Sequence, residues 1–173
     1  MLTELVRWMD AEPRRLEQEL EAMAAFAPDL RWIDLSPELP AGGWEGEIPK
    51  WPFDRDRPDP GLDLLVPASL AVRVELKQSF PASPPKLRPL LDPPPDPRYR
   101  TQTEWHINGD GTLCLLQTAD MWTGRDSATE LVVKAAGWFI EYRLMEEKLV
   151  EAMTINGICS DPSRDDLIQG FRS

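Results

Sequence analysis

Apolar residues follow a helical rhythm at both ends of this chain and an alternating one between them. Leu2, Leu5, Val6 and Met9 share one face of a short predicted helix over residues 2–10. Pro13 suits the first turn of a second helix, where its missing N–H costs nothing. Leu16, Leu20, Met23, Ala24 and Ala27 then recur at helical spacing until Pro28 ends the run. Residues 31–35 alternate as a strand does, Ala41-Gly42-Gly43 forms a turn, and residues 44–48 make a second strand. The strongest strand signal lies in residues 62–78, with Leu70, Val72, Val74 and Leu76 on one side and Arg73, Glu75 and Lys77 on the other. Residues 86–90 form a short fourth strand. Loops are expected at 50–61, rich in Pro, Asp and Arg, and at 91–100, where Pro93-Pro94-Pro95 and Pro97 cannot donate to a ladder.

Beyond the loops the chain turns helical again. Ser127 or Asp126 can cap this helix, and Glu130 is placed for a capping box. Leu131, Ala135, Trp138, Phe139, Tyr142 and Met145 make its broad apolar face, which runs towards Met153 before Asn156-Gly157 stops it. In the polar, acidic tail, Leu167, Ile168 and Phe171 can dock as one last turn. Helix, antiparallel meander, proline-rich crossing, loop and helices is an α+β order. A single domain over 1–173 is expected, with 1–11 as an N-terminal extension and 156–173 as a C-terminal tail.

Composition narrows the function. The 173 residues suffice for one proper core. A net charge of -11 argues against binding a nucleic-acid backbone. No run of about 18 apolar residues exists, so no membrane partner is expected. Glu4, Arg7 and Asp10 interrupt the N-terminal apolar residues, unlike a signal peptide. Two cysteines are too few for a disulfide framework, which points to a reducing cytoplasm. One histidine and two cysteines cannot furnish four zinc ligands without carboxylates, and Gly109-x-Gly111 lacks the third glycine and the lysine of a phosphate loop. No metal and no cofactor are expected.

Chemistry concentrates in residues 105–115, which hold the only histidine and one of the two cysteines. Polar residues and two glycines lead into Cys114 between leucines, a tight turn that brings a thiol to the edge of a core. A cysteine between leucines is also an ordinary small core residue. His106 precedes Cys114 by only eight residues and no orienting partner stands out, so a protease-type Cys–His pair is the weaker expectation. Cys159 is either a buried bystander or a disulfide partner that would block Cys114.

His106-Ile107-Asn108 followed by Gly111-Thr112-Leu113-Cys114-Leu115 resembles the His-Pro-Asn…Gly-x-Ile-Cys-Leu signature of ubiquitin-conjugating (E2) enzymes. Phe80-Pro81-Ala82-Ser83-Pro84-Pro85-Lys86-Leu87 resembles the family's Phe-Pro-x-x-Tyr-Pro-x-x-Pro-Pro-Lys-Val, and Trp122 stands where the family has a tryptophan. Ile107 replaces the motif proline, and the spacing from Asn108 to Cys114 is two residues shorter than usual, as in bacterial E2-like proteins of antiphage (CBASS-type) and ubiquitin-like conjugation operons. The resemblance implies the ubiquitin-conjugating fold, with an N-terminal helix, a four-stranded meander, an active-site loop and C-terminal helices. It implies that Cys114 carries a thioester, that Asn108 is an oxyanion donor or loop organiser, and that His106 holds the loop through the backbone. A carboxylate would orient or deprotonate the attacking amine, and Asp110, Asp120 and Asp126 are the candidates. Arg14 and Arg15 would meet an E1-like activating enzyme. The implied partners are a ubiquitin-like protein or the C-terminus of a cGAS-like nucleotidyltransferase. The rival expectation is a non-catalytic E2-variant scaffold.

Overall fold

Pro13 governs how the chain begins. A residue before proline is pushed out of the helical region, and Glu12 accordingly lies at φ -127°, ψ 55° between α1 (Trp8–Ala11) and α2 (Pro13–Phe26). The computed structural model describes residues 6–158 and 161–172. Of the helix expected over 2–10, the described residues form only α1, and Arg7 before it is extended. Leu2 and Leu5 lie outside the described residues, and Val6 is exposed. Trp8 does the anchoring instead: its indole N–H donates to the Ala41 carbonyl (2.7 Å), and its ring meets Phe80 edge-on at 4.8 Å. Ala27 leaves the helical region before Pro28, so α2 stops at Phe26.

Four antiparallel strands follow, β1 (Leu30–Ile33), β2 (Gly43–Glu47), β3 (Ala71–Glu75) and β4 (Lys86–Pro89), in the order β1-β2-β3-β4. Trp44 pairs with Val74 and Val74 with Leu87, and these three with Val72 and Leu30 form the buried face. The other face is a charge ladder in which Arg73 meets Glu45 (2.7 Å) and Arg88 meets Glu75 (2.6 Å) across the strands. The long strand expected over 62–78 is corrected. Its first part is a helix, α3 (Gly61–Leu65), which buries Leu62 and Leu65 three residues apart. Pro67 forces Val66 out of the helix, and pairing begins only at Ala71.

The central helix α4 (Ala128–Glu146) is buried on most of its surface, with Leu131, Val132, Ala135, Ala136, Trp138, Ile140 and Leu144 all inside. Ser127 caps it as expected, accepting the Thr129 N–H (3.3 Å). The carboxylate of the cap is not Glu130, which is exposed. It is Glu19 of α2, 2% exposed, which accepts both the Ser127 hydroxyl and the Ala128 N–H at 3.0 Å. Arg15 grips Glu19 (2.9 Å) and donates to the carbonyls of Gly124 (3.1 Å) and Asp126. The far end of α4 also departs from expectation, stopping at Glu146 rather than near Met153. Lys148 turns left-handed (φ 56°), while Leu149 N–H reaches the Leu144 carbonyl (2.9 Å) and Lys148 N–H the Met145 carbonyl (3.0 Å). That is a Schellman stop with lysine where glycine is usual.

The tail docks through α5 (Asp165–Gly170), burying Ile168, while Leu167 stays partly exposed and Phe171 is half-buried. Arg55 fixes α5 through Asp165 (2.8 Å). Three short 3-10 turns complete the α+β fold, at Pro97–Tyr99, Ala119–Met121 and Pro162–Arg164. No helix among the described residues is long and apolar enough to cross a membrane.

Removing the Glu19 carboxylate strands Arg15 and the α4 N-terminus in a buried site. Glu19→Ala is expected to cost about 3 kcal/mol, read as a lower denaturant midpoint at an unchanged slope.

Candidate active-site cleft

The cysteine loop is a tight hairpin hung from the sheet edge. Leu113 N–H donates to the Leu87 carbonyl of β4 (2.8 Å), Asn108 N–H to the Thr112 carbonyl (2.7 Å), and Cys114 N–H to the His106 carbonyl (2.8 Å). Ile107 and Leu113 pair across it and are buried. Asp110 builds the tip. Its carboxylate accepts the Thr112 N–H (3.0 Å) and hydroxyl (2.6 Å) and the Lys86 ammonium (2.5 Å), and the bond to Lys86, then those to Thr112, hold it far below the usual carboxylate range.

Asn108 is spent on the same hairpin. Its side-chain amide donates to Thr112 Oγ1 (3.1 Å) and the Leu113 carbonyl (3.2 Å), while its oxygen accepts from Gln102 (2.8 Å). Of the two expected roles, these contacts favour loop organiser over oxyanion donor, since both amide hydrogens have partners.

His106 faces away from the cleft. It is 5% exposed, lies at φ 50°, and bonds to the Thr154 backbone. Burial pushes its imidazole below the ordinary value, although the Thr154 bond opposes this. Gly157 packs directly on the ring: a Cβ there would come within 2.2 Å of His106 Cδ2. Thr154 is held in turn by Glu141, a fully buried carboxylate on α4 that accepts its N–H (3.4 Å) and lies 3.8 Å from Arg164. Desolvation pushes Glu141 up, against the pull of Arg164. Periodicity misses this group, because a glutamate on an apolar helix face carries no local sign of its partner.

Cys114 is half-buried at the wall of an open cleft of about 310 Å³. Lys77, Lys86, Gln102, Asn108 and Gln117 share the lining with it, over an apolar floor that includes Leu131. Burial pushes the thiol up. Gln117 ties the cleft to the segment after α4 through the Ile155 carbonyl (2.9 Å) and Asn156 (2.7 Å). Lys77, Gln102 and Gln117 were invisible as site residues in the sequence, since only the fold brings their segments together.

The other expected residues stand apart. No carboxylate lines the cleft among the described residues. Asp120 is exposed on the Ala119–Met121 turn, bonded to Thr118, and Asp126 accepts the Thr123 N–H (2.7 Å) beside the α4 entry. Arg14 is exposed, whereas Arg15 is engaged internally as described and is not free for a partner. Cys159, and with it any pairing to Cys114, lies outside the described residues. No three His, Cys, Asp or Glu side chains converge as a metal site among the described residues. No protein-family model matches this chain, and no curated protein matches it.

His106 is the sole histidine, so an imidazole NMR titration reads it without ambiguity, and the midpoint is expected below 6.5. The sign follows from linkage. Its share of the stability is present above about pH 6.5, the unfolded value, and is lost as the pH falls through the lower folded value. A second contrast probes the packing. Gly157 sits at φ 62° against His106, while a Cβ at Gly109 would meet nothing within 4 Å. Gly157→Ala is expected to cost about 2 kcal/mol or more, and Gly109→Ala to stay within about 0.5 kcal/mol, by thermal unfolding.

Proposed function

We propose that this chain is an E2-like acyl carrier with the ubiquitin-conjugating fold. It takes the C-terminus of a ubiquitin-like modifier, or of a modifier-like partner such as a cGAS-like nucleotidyltransferase, as a thioester on Cys114. It then passes that acyl group to an amine, in the setting of bacterial antiphage defence. The observation that carries the reading is the position of Cys114. A hairpin organised by Asn108 and anchored by His106 hangs from the fourth strand of an antiparallel meander through the Leu113 N–H and the Leu87 carbonyl, and brings the thiol to the wall of an open cleft. Trp122 supports it from the side, donating its indole N–H to Pro81 (2.7 Å), so that two of the motif segments pack together.

Thioester exchange asks little of the protein. A thiolate attacks the incoming thioester, the donor thiol leaves, and no strong base is needed. Here Asn108 acts through the backbone: by holding the Leu113 carbonyl it sets the residue before the nucleophile. The attacking amine loses its proton to water or to a carboxylate brought by the acceptor, because the cleft wall offers none among the described residues. Activation of the donor is supplied by another polypeptide, such as an E1-like enzyme, or is bypassed.

One observation favours a second reading, a non-catalytic binding module: the thiol is raised by burial and no carboxylate or imidazole lines its cleft among the described residues. Replacing Cys114 with serine discriminates, because an oxyester outlives a thioester. Cys114→Ser recovered from the native host is expected to carry a covalent adduct on residue 114, identified by intact and peptide mass spectrometry. Absence of any adduct, together with full host function of Cys114→Ala, would establish the binding module.

A further inference from the structure

We infer that Lys77 is an acceptor for the acyl group carried by Cys114, so that the chain is its own substrate. The inference rests on the thioester reading of Cys114 and assigns it an acceptor.

Two amines line the cleft with the cysteine, and they are not equivalent. Lys86 lies 2.5 Å from Asp110, which Thr112 holds in place from the other side. A salt bridge favours the charged ammonium and so opposes the loss of the proton that an attacking amine must shed. Lys77 has no ion pair and no side-chain hydrogen bond among the described residues, and it is exposed. Its backbone is nonetheless fixed just beyond β3, where its carbonyl accepts the Phe80 N–H (2.9 Å). A flexible side chain on a fixed backbone, opening into the space that holds the acyl carbon, gives a high effective concentration of amine. A lysine from outside is at a disadvantage. It would enter a cleft lined by two lysines and by no carboxylate among the described residues, so nothing there draws in a cationic acceptor.

The step balances without any further reagent. Neutral Lys77 Nζ adds to the thioester carbonyl carbon, and the tetrahedral intermediate collapses. The C–S bond breaks as the C–N bond forms. Cys114 departs as thiolate and the amine proton passes to water. The product is an amide on Lys77 and a regenerated thiol, and the new substituent stands in the cleft wall, where it obstructs the next donor.

The test uses the whole chain and a defined probe, the mercaptoethanesulfonate thioester of a fluorescent Gly-Gly dipeptide. Adducts are read by intact and peptide mass spectrometry before and after hydroxylamine, which cleaves thioesters and spares amides. The expected result is a labile adduct on Cys114 followed by a resistant one on Lys77. The resistant adduct on residue 77 is absent from Lys77→Arg, in which the Cys114 thioester is at least about tenfold longer lived, a small part of what intramolecular placement provides. In Cys114→Ala, with its fold verified by circular dichroism, labelling of Lys77 falls by the same factor or more. A labile adduct on Cys114 with no resistant adduct on Lys77, or equal labelling of Lys77 in Cys114→Ala, overturns the inference and leaves the carrier reading standing. Failure of Cys114 to load in the folded protein overturns both.

Discussion

A carboxylate inside a protein must be paired from every side or it destabilises the fold. Glu19 meets that condition by joining two pieces of chain. It holds Arg15 one turn earlier in α2, and it closes the N-terminus of α4 through Ser127 and Ala128. Arg15 reaches the carbonyls of Gly124 and Asp126 from the same position and lies over the Phe80 ring at 5.5 Å. The segment between the cysteine and α4 is thereby tied to the N-terminal helix. Negative charge at a helix N-terminus is favourable in itself, so the pairing both satisfies a buried acid and sets where α4 starts.

The other end of α4 repeats the device with less complete pairing. Glu141 is fully buried, yet Arg164 stands 3.8 Å away and one carboxylate oxygen has no hydrogen-bond partner. Through Thr154 this acid reaches His106, and through the His106 carbonyl it reaches the backbone of Cys114. The cysteine hairpin is thus suspended between β4 on one side and the segment after α4 on the other. Histidine here is a structural prop that burial pushes below its ordinary value, and asparagine a brace across the hairpin. Both serve the position of the thiol by holding the backbone around it.

Electrostatics gives the cleft a character of its own. The chain carries a net charge of -11, but the walls around Cys114 present Lys77 and Lys86 and no carboxylate among the described residues. Of the acids in the neighbouring loops, Asp110 is consumed by Lys86 and Thr112, and Asp126 by Thr123. A local positive wall on an acidic protein favours an incoming segment that is neutral or acidic.

What the sequence determined by itself was whatever local chemistry can encode. Prolines 13 and 28 bounded α2, alternation marked the strands around Val72 and Val74, and Ser127 announced the start of α4. The cysteine turn was legible too, because two glycines and Asp110 write a tight hairpin in a few residues. The rest depended on partners far along the chain. Glu19 lies 108 residues from Ser127, and no periodicity links them. Lys148 ends α4 in a conformation that glycine would have advertised and lysine does not. Leu62 and Leu65 fit strand and helix alike until Pro67 and the packing of α5 decide between them. The walls of the cleft, the burial that raises the thiol and the burial that lowers the His106 imidazole exist only once those segments meet. Local pattern records which side of an element is apolar. Which polar groups that side must satisfy is a property of the neighbour it packs against, and that only the tertiary structure supplies.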